Sequence, residues 1–228
     1  MSKFHTWAVT PKNAIEIQQK LRAEVQIRPL GKNIKYIAGA DISLNMFAKD
    51  IFAGIIVLKF PELEVIEHQV LQSITDFPYI PGLLSFREVP ALLEVWKKVK
   101  IKPDILMVDG QGIAHPRRIG IASHIGVLLD VPTIGVAKSP LYGKFKDVGE
   151  KAGALSYIYD KYNKDEIIGV ALRSKERSKP LIVSLGHKIT LEEALAIVRN
   201  SLRGYRLPEP TRLAHELVNQ FRKGEIIA

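Results

Sequence analysis

The sequence predicts an α/β protein whose mixed sheet has three antiparallel strands followed by parallel strands, with helices flanking the sheet. Three strand patterns open the core, at residues 35–43, 51–60 and 64–72, and only residues 61–63 separate the last two. A link that short favours a hairpin, so these strands should run antiparallel. Strand and helix patterns then alternate, which is typical of parallel strands joined by crossover helices.

Local signals place the other elements in order. A helix should begin at Thr10 and Pro11, because threonine caps helix N-termini and proline suits the first turn. Apolar residues at helical spacing continue this helix to Val25, and two prolines make residues 75–84 a loop. Further helices are predicted near 85–100, 117–130, 190–203 and 210–223, and further strands at 104–109, 132–137, 154–161, 165–173 and 180–184.

The composition narrows the class of protein. No apolar run approaches the roughly 20 residues that span a bilayer, and the N-terminus has no signal-peptide core, so we expect a cytoplasmic protein with no membrane partner. A monomer is expected. Lys and Arg number 33 against 24 Asp and Glu, a formal charge of +9. This surplus favours a polyanionic partner, nucleic acid before membrane, and the alternative is a basic protein without such a ligand.

Three acids are candidate metal ligands. Asp41 interrupts an apolar strand, Glu88 lies in the first turns of a helix, and Asp109 ends the strand at 104–109. The chain has no cysteine, so carboxylates would favour a hard cation such as Mg²⁺, with Mn²⁺ as a substitute. Each acid alone has an ordinary alternative: a turn residue for Asp41 and Asp109, and a helix N-terminal acid for Glu88.

Five segments together resemble the endonuclease V family, whose fold is ribonuclease H-like. They are GADIS (39–43), PYIPGLLSFRE (78–88), DGQGIAHPR (109–117), GVAKS (135–139) and PTRLAH (210–215). The resemblance implies a single endonuclease V-like domain over residues 1–228. It also implies a magnesium-dependent endonuclease of DNA repair that hydrolyses the second phosphodiester 3′ to deoxyinosine, leaving 3′-hydroxyl and 5′-phosphate ends.

The resemblance also implies roles for named residues. Asp41, Glu88 and Asp109 would hold the metal, and Lys138 and His215 would complete the catalytic site. The four residues Pro78, Tyr79, Ile80 and Pro81 would form a wedge that separates the DNA strands at the lesion. The alternatives are a solvent-exposed Lys138, a helix-surface His215 and a buried Tyr79 that packs the loop.

The resemblance further implies a pocket for the flipped base, built largely from backbone. Glycines let backbone approach a base closely, and fixed amides can distinguish hypoxanthine from adenine. The expected pocket residues are Gly82, Leu84, Gly110, His115, Gly120 and Ile121. Arg117 and Arg118 would open the next helix and bind phosphate there.

Four rival functions stay open. An inosine-specific endoribonuclease would use the same metal site, and another ribonuclease H-like repair or junction nuclease would share the acids without needing the 78–81 loop. A non-catalytic inosine-binding module would not need the acids or Lys138. A phosphate cradle for a small nucleotide at Gly110 and Gly112 is weak, because the spacing matches neither standard nucleotide motif.

Overall fold

In the computed structural model, which describes residues 5–44 and 48–227, eight strands form one mixed sheet flanked by five helices. The strands are β1 (Tyr36–Leu44), β2 (Asp50–Lys59), β3 (Val65–Ile74), β4 (Ile105–Val108), β5 (Thr133–Ala137), β6 (Leu155–Tyr159), β7 (Ile167–Leu172) and β8 (Leu181–His187). The helices are α1 (Pro11–Leu21), α2 (Leu84–Lys98), α3 (Ile121–Leu129), α4 (Leu191–Asn200) and α5 (Glu209–Arg222). None of these helices is long and apolar enough to cross a membrane.

The strand order is β3-β2-β1-β4-β5-β8-β7-β6. The first three strands are antiparallel, and β1, β4 and β5 are parallel neighbours, so the predicted α/β fold class with its mixed sheet is confirmed. The last three strands form a second antiparallel ribbon that joins β5 through β8. The sequence did not indicate this ribbon, because its strand patterns specify extension and not direction.

The start of α1 follows the prediction. The Thr10 hydroxyl accepts a hydrogen bond from the Asn13 amide at 3.3 Å, and Pro11 occupies the first turn. The helix ends at Leu21 and a single 3₁₀ turn follows, so Val25 lies beyond the helix although its apolar spacing continued the pattern.

The predicted start of α3 is wrong. Arg117 and Arg118 lie in a loop, and the helix begins only at Ile121. Arg118 has a left-handed backbone with φ of 58°, and Gly120 is extended, so neither residue can belong to a right-handed helix. The helix N-terminus therefore gives no support to a phosphate site at these two arginines, and their contact with phosphate stays a prediction.

The sheet lies between two helical layers. One apolar core joins the sheet to α4 and α5, and the other joins it to α2 and α3. Ala40 and Val108 belong to the second core, and side chains alternate along a strand, so Asp41 and Asp109 face the side of α5. At Gly39 the α5 backbone comes so close that an added Cβ would lie 1.8 Å from the Pro210 carbonyl oxygen.

Candidate active site

Three side chains that can ligate a metal meet at the carboxyl edge of the central parallel strands. Asp41 lies in β1, Asp109 directly follows β4, and His215 projects from α5. One ligand atom from each lies within 4.8 Å of the other two. His215 Nδ1 is 2.7 Å from Asp41 Oδ2, and Asn219 Nδ2 is 3.1 Å from the other ring nitrogen. The parallel pairing of β1 with β4 thus brings together acids 68 positions apart.

Glu88 faces the same pocket from α2 but lies outside the three-residue cluster within the described part of the chain. Burial raises the pKa of its carboxyl to about 8, and the nearby charges of Asp41 and Asp109 add to the rise. Burial and the Asp41 charge likewise raise the pKa of Asp109. Such crowding of buried carboxylates is unfavourable unless a cation joins them, so this oxygen-rich donor set fits a divalent metal ion.

Lys138 follows β5 and reaches this edge of the sheet, as its position after a parallel strand predicted. Its ammonium lies 2.5 Å from Asp109 Oδ2. The hydrogen bond that the His215 imidazole donates to Asp41 raises the pKa of the imidazole, which favours its charged form. One lysine and one histidine therefore partly offset the acids, and both stand at the rim of the pocket.

A single pocket of about 400 Å³ contains most of the predicted site residues. The metal cluster, Glu88 and Lys138 line one part of it. All six residues expected to hold the base also line it, as do two members of the expected wedge: Gly82, Leu84, Gly110, His115, Gly120, Ile121, Tyr79 and Pro81. Pro78, Ile80, Arg117 and Arg118 are not among the lining residues.

The glycines of this pocket permit close contacts between backbone segments. A Cβ on Gly120 would lie 2.3 Å from the Gln111 carbonyl oxygen, and one on Gly110 would lie 2.4 Å from an Ile121 methyl group. Gly82 has φ of +82°, a conformation that favours glycine. Side chains at these positions would displace the pocket wall, and the expected role of the glycines in admitting a base stays a prediction.

His115 stabilises the pocket wall through two hydrogen bonds. Its Nε2 lies 2.9 Å from the Gly82 carbonyl oxygen, and its Nδ1 accepts from the Arg117 amide. Burial, with the Arg117 charge, lowers the pKa of the imidazole to about 4, so the ring is neutral at pH 7. A neutral ring with an acceptor at Nδ1 must carry its proton on Nε2 and donate it to the carbonyl.

The two arginines of the loop before α3 bond to the protein itself. The Arg117 guanidinium donates to Gln18 Oε1 and to the Gly82 carbonyl. Arg118, only 8% exposed, donates to Asp160 at 2.5 Å and to Glu166 at 2.8 Å. The structure therefore directs the Arg118 side chain to these two carboxylates and not to the expected phosphate contact.

The 78–81 loop is irregular and stands beside the pocket. Tyr79 is 47% exposed, so the alternative of a buried tyrosine that packs the loop is wrong. Arg87, buried in α2, donates to the Phe77 carbonyl at 2.6 Å and holds the start of the loop. The sequence did not indicate that Arg87 is buried, because an arginine at a helix start is ordinarily a surface residue.

Two glutamines of the pocket were also missed. Gln18 of α1 donates to the Gly82 carbonyl at 3.0 Å, and Gln111 donates to the Ser139 carbonyl at 2.9 Å. Gln18 occupies the buried face of an amphipathic helix, which was the available signal. Gln111 lies between two glycines after a buried strand, a position where side chains reach the sheet edge.

The mixed sheet, with carboxylates, an imidazole and a lysine gathered in a pocket at its edge, defines an α/β protein with a candidate hydrolase site whose residues could hold a metal ion. The comparison with known sequences is specific: residues 19–216 match the Endonuclease V family. The chain belongs to this family and is accordingly a nuclease.

Individual relatives agree. Endonuclease V of Dictyoglomus turgidum is 46% identical over 215 residues, which cover 94% of this chain and 92% of the relative. The crystal structure of endonuclease V from Streptomyces avermitilis superposes with a TM-score of 0.88 at 34% identity, covering 96% of each chain. Ciona intestinalis endonuclease V, in complex with a 24-mer DNA containing an inosine followed by a ribo-adenosine, gives a TM-score of 0.81 at 27% identity, covering 94% of this chain and 98% of the Ciona chain.

Proposed function

We propose that this protein is a metal-dependent endonuclease that recognises deaminated adenine in DNA and nicks the strand on its 3′ side. One observation carries the proposal: the acid cluster and the glycine-walled cavity are parts of one pocket. A base held by the glycine wall would keep its own strand beside the acids. The inosine-containing DNA bound by the Ciona relative supports the same substrate class.

The metal would be held by Asp41 and Asp109, with Glu88 completing the carboxylate set and Mg²⁺ or Mn²⁺ as the ion. When bound, such an ion supplies positive charge that stabilises a phosphorane and lowers the pKa of a water nucleophile. The Lys138 ammonium, already against Asp109, would neutralise charge on a phosphate oxygen. His215 would orient Asp41 through their 2.7 Å bond.

Recognition would use the loop and the glycine wall together. The exposed Tyr79 ring would enter the gap that a flipped base leaves in the duplex. The base would rest against Gly82, Gly110 and Gly120, which have no side chains of their own. Residues that contact the strand elsewhere would position the phosphates without reading sequence.

The finer details of the reaction rest on the family resemblance. Hydrolysis would occur at the second phosphodiester 3′ to the lesion and would leave 3′-hydroxyl and 5′-phosphate ends. A second candidate function is cleavage of inosine-containing RNA, favoured by one observation: the strand bound to the Ciona relative carries a ribonucleotide directly after inosine.

The test is a nicking assay on inosine duplexes in Mg²⁺ with Asp41→Ala and Asp109→Ala. Each variant should lose nicking by roughly 100-fold or more while still binding the duplex, because the acids act on the scissile phosphate and not on the base. Matched DNA and RNA strands run side by side decide between the two candidate substrates. Full nicking by both variants would remove the acid cluster from the mechanism.

A further inference from the structure

Gln111 has a buried acceptor atom that the protein leaves without a partner. The residue is 8% exposed and lines the pocket. Its Nε2 donates to the Ser139 carbonyl at 2.9 Å, but its Oε1 has no hydrogen-bond partner among the described residues. A buried acceptor left unpaired is costly, which points to a donor supplied by a ligand.

The orientation of this amide follows from its neighbour. A backbone carbonyl can only accept hydrogen bonds, so the group facing Ser139 must be the NH₂ of the amide. The oxygen is therefore the atom left without a partner. The Gln111 backbone is also fixed, because its carbonyl accepts from the Ala122 amide at 3.0 Å and packs against Gly120.

These contacts place Gln111 beside the wall expected to hold the base. Its carbonyl lies 2.3 Å from where a Gly120 Cβ would be, and Gly120 precedes Ile121 at the start of α3. The acid cluster is supplied instead by β1, the end of β4 and α5. Gln111 therefore lines the same pocket as this wall, and a base held there would supply a donor for Oε1.

We infer that Gln111 Oε1 accepts the N1–H of a flipped hypoxanthine and is a specificity-determining residue. This inference rests on the proposed function. Hypoxanthine carries a proton on N1, whereas adenine presents a bare N1 lone pair at neutral pH. An acceptor at this position stabilises the deaminated base and leaves two acceptors facing each other when adenine enters, so one atom contributes to both attraction and rejection.

The experiment measures binding of the full chain to duplexes carrying one inosine, adenine or nebularine, a purine that lacks both O6 and N1–H. Gln111→Met keeps the length of the side chain and removes the acceptor. We expect the affinity of Gln111→Met for inosine duplexes to fall roughly 10- to 100-fold. Affinity for adenine and nebularine should stay the same or rise, because neither base has an N1–H to lose.

Gln18→Met is the matched control. Gln18 is a buried glutamine of the same pocket, but both ends of its amide have protein partners. Its substitution should change binding of inosine and nebularine by the same factor, since it acts through the wall and not through N1.

Two results would overturn the inference about Gln111. Equal loss on inosine and nebularine would mean that Gln111 only supports the segment around Ser139. No loss on inosine would mean that an ordered water satisfies Oε1. The unaltered protein tests the proposed function separately. If that function is wrong, the unaltered protein will bind and nick inosine and adenine duplexes alike.

Discussion

Replacing Gly39 by alanine should damage the active site from a distance. Gly39 lies in β1, two residues before Asp41, and faces the first turn of α5. An alanine Cβ there would lie 1.8 Å from the Pro210 carbonyl oxygen, whereas ordinary contact begins near 3.4 Å. One of the two backbones must therefore withdraw by about 1.6 Å.

The size of this shift decides the effect on the site. If α5 moves as a rigid body, the 2.7 Å bond from His215 to Asp41 lengthens to as much as about 4.3 Å and is lost. Overpacking against backbone should lower the free energy of unfolding by about 3 kcal/mol. Misplacement of a site residue by more than 1 Å should slow nicking roughly 100-fold.

The assay pairs urea unfolding with single-turnover nicking of an inosine duplex. Gly54→Ala is the matched control, because its Cβ would meet the Val218 side chain at 2.6 Å in the same helix α5. A methyl group can rotate away, so this variant should lose about 1 kcal/mol and keep most of its activity.

A double variant shows whether the damage travels through His215. Gly39→Ala combined with His215→Ala should nick about as slowly as His215→Ala alone. A stable Gly39→Ala protein with full nicking would refute the reasoning, because it would mean that α5 and β1 tolerate separation without consequence for the site.

Two further predictions address the loop and the buried ion pairs. Tyr79→Ala should weaken binding to inosine duplexes more than to inosine single strands, because only a duplex needs strand separation; equal losses measured by titration would contradict the wedge. Arg118→Met should lower the free energy of unfolding by about 3 kcal/mol, since it removes the counter-ion of the buried Asp160 carboxylate. Hydrogen bonds from Arg118 hold the pKa values of Asp160 and Glu166 below their usual range. The two carboxylates therefore stabilise the fold above about pH 4.5, and this stability is lost as the pH falls through the lowered pKa values. Urea unfolding at pH 7 and pH 3 should therefore show a smaller pH effect in the variant, and an equal effect would contradict the assignment.

The sequence was most informative where the signal is local. The capping threonine of α1 and the hairpin between β2 and β3 follow from residues a few positions apart. The position of Asp109 was also predictable, because an apolar run that ends in a carboxylate and glycine indicates a strand end at a sheet edge. The close approach at Gly39 was not predictable, since it depends on Pro210, far along the chain.

Contacts between distant segments account for what the sequence left open. Arg118 was assigned to phosphate because it was expected to open a helix, but its partner Asp160 lies 42 positions away on the β6–β7 connection. The direction of β6 to β8 likewise depends on pairing between strands. The unpaired oxygen of Gln111 depends on the carbonyl of Ser139, 28 positions away. Roles proposed for the individual site residues stay predictions.

The most direct test of the account is to map the ends produced from one inosine duplex at single-nucleotide resolution, beside the same duplex with adenine. The account holds that one pocket both retains the deaminated base and cuts its strand, so the distance from base to cut is fixed. It predicts a single nick at the second phosphodiester 3′ to inosine, with 3′-hydroxyl and 5′-phosphate ends. It predicts no nick in the duplex that carries adenine. Cuts scattered along the strand, or equal cutting of the adenine duplex, would contradict it.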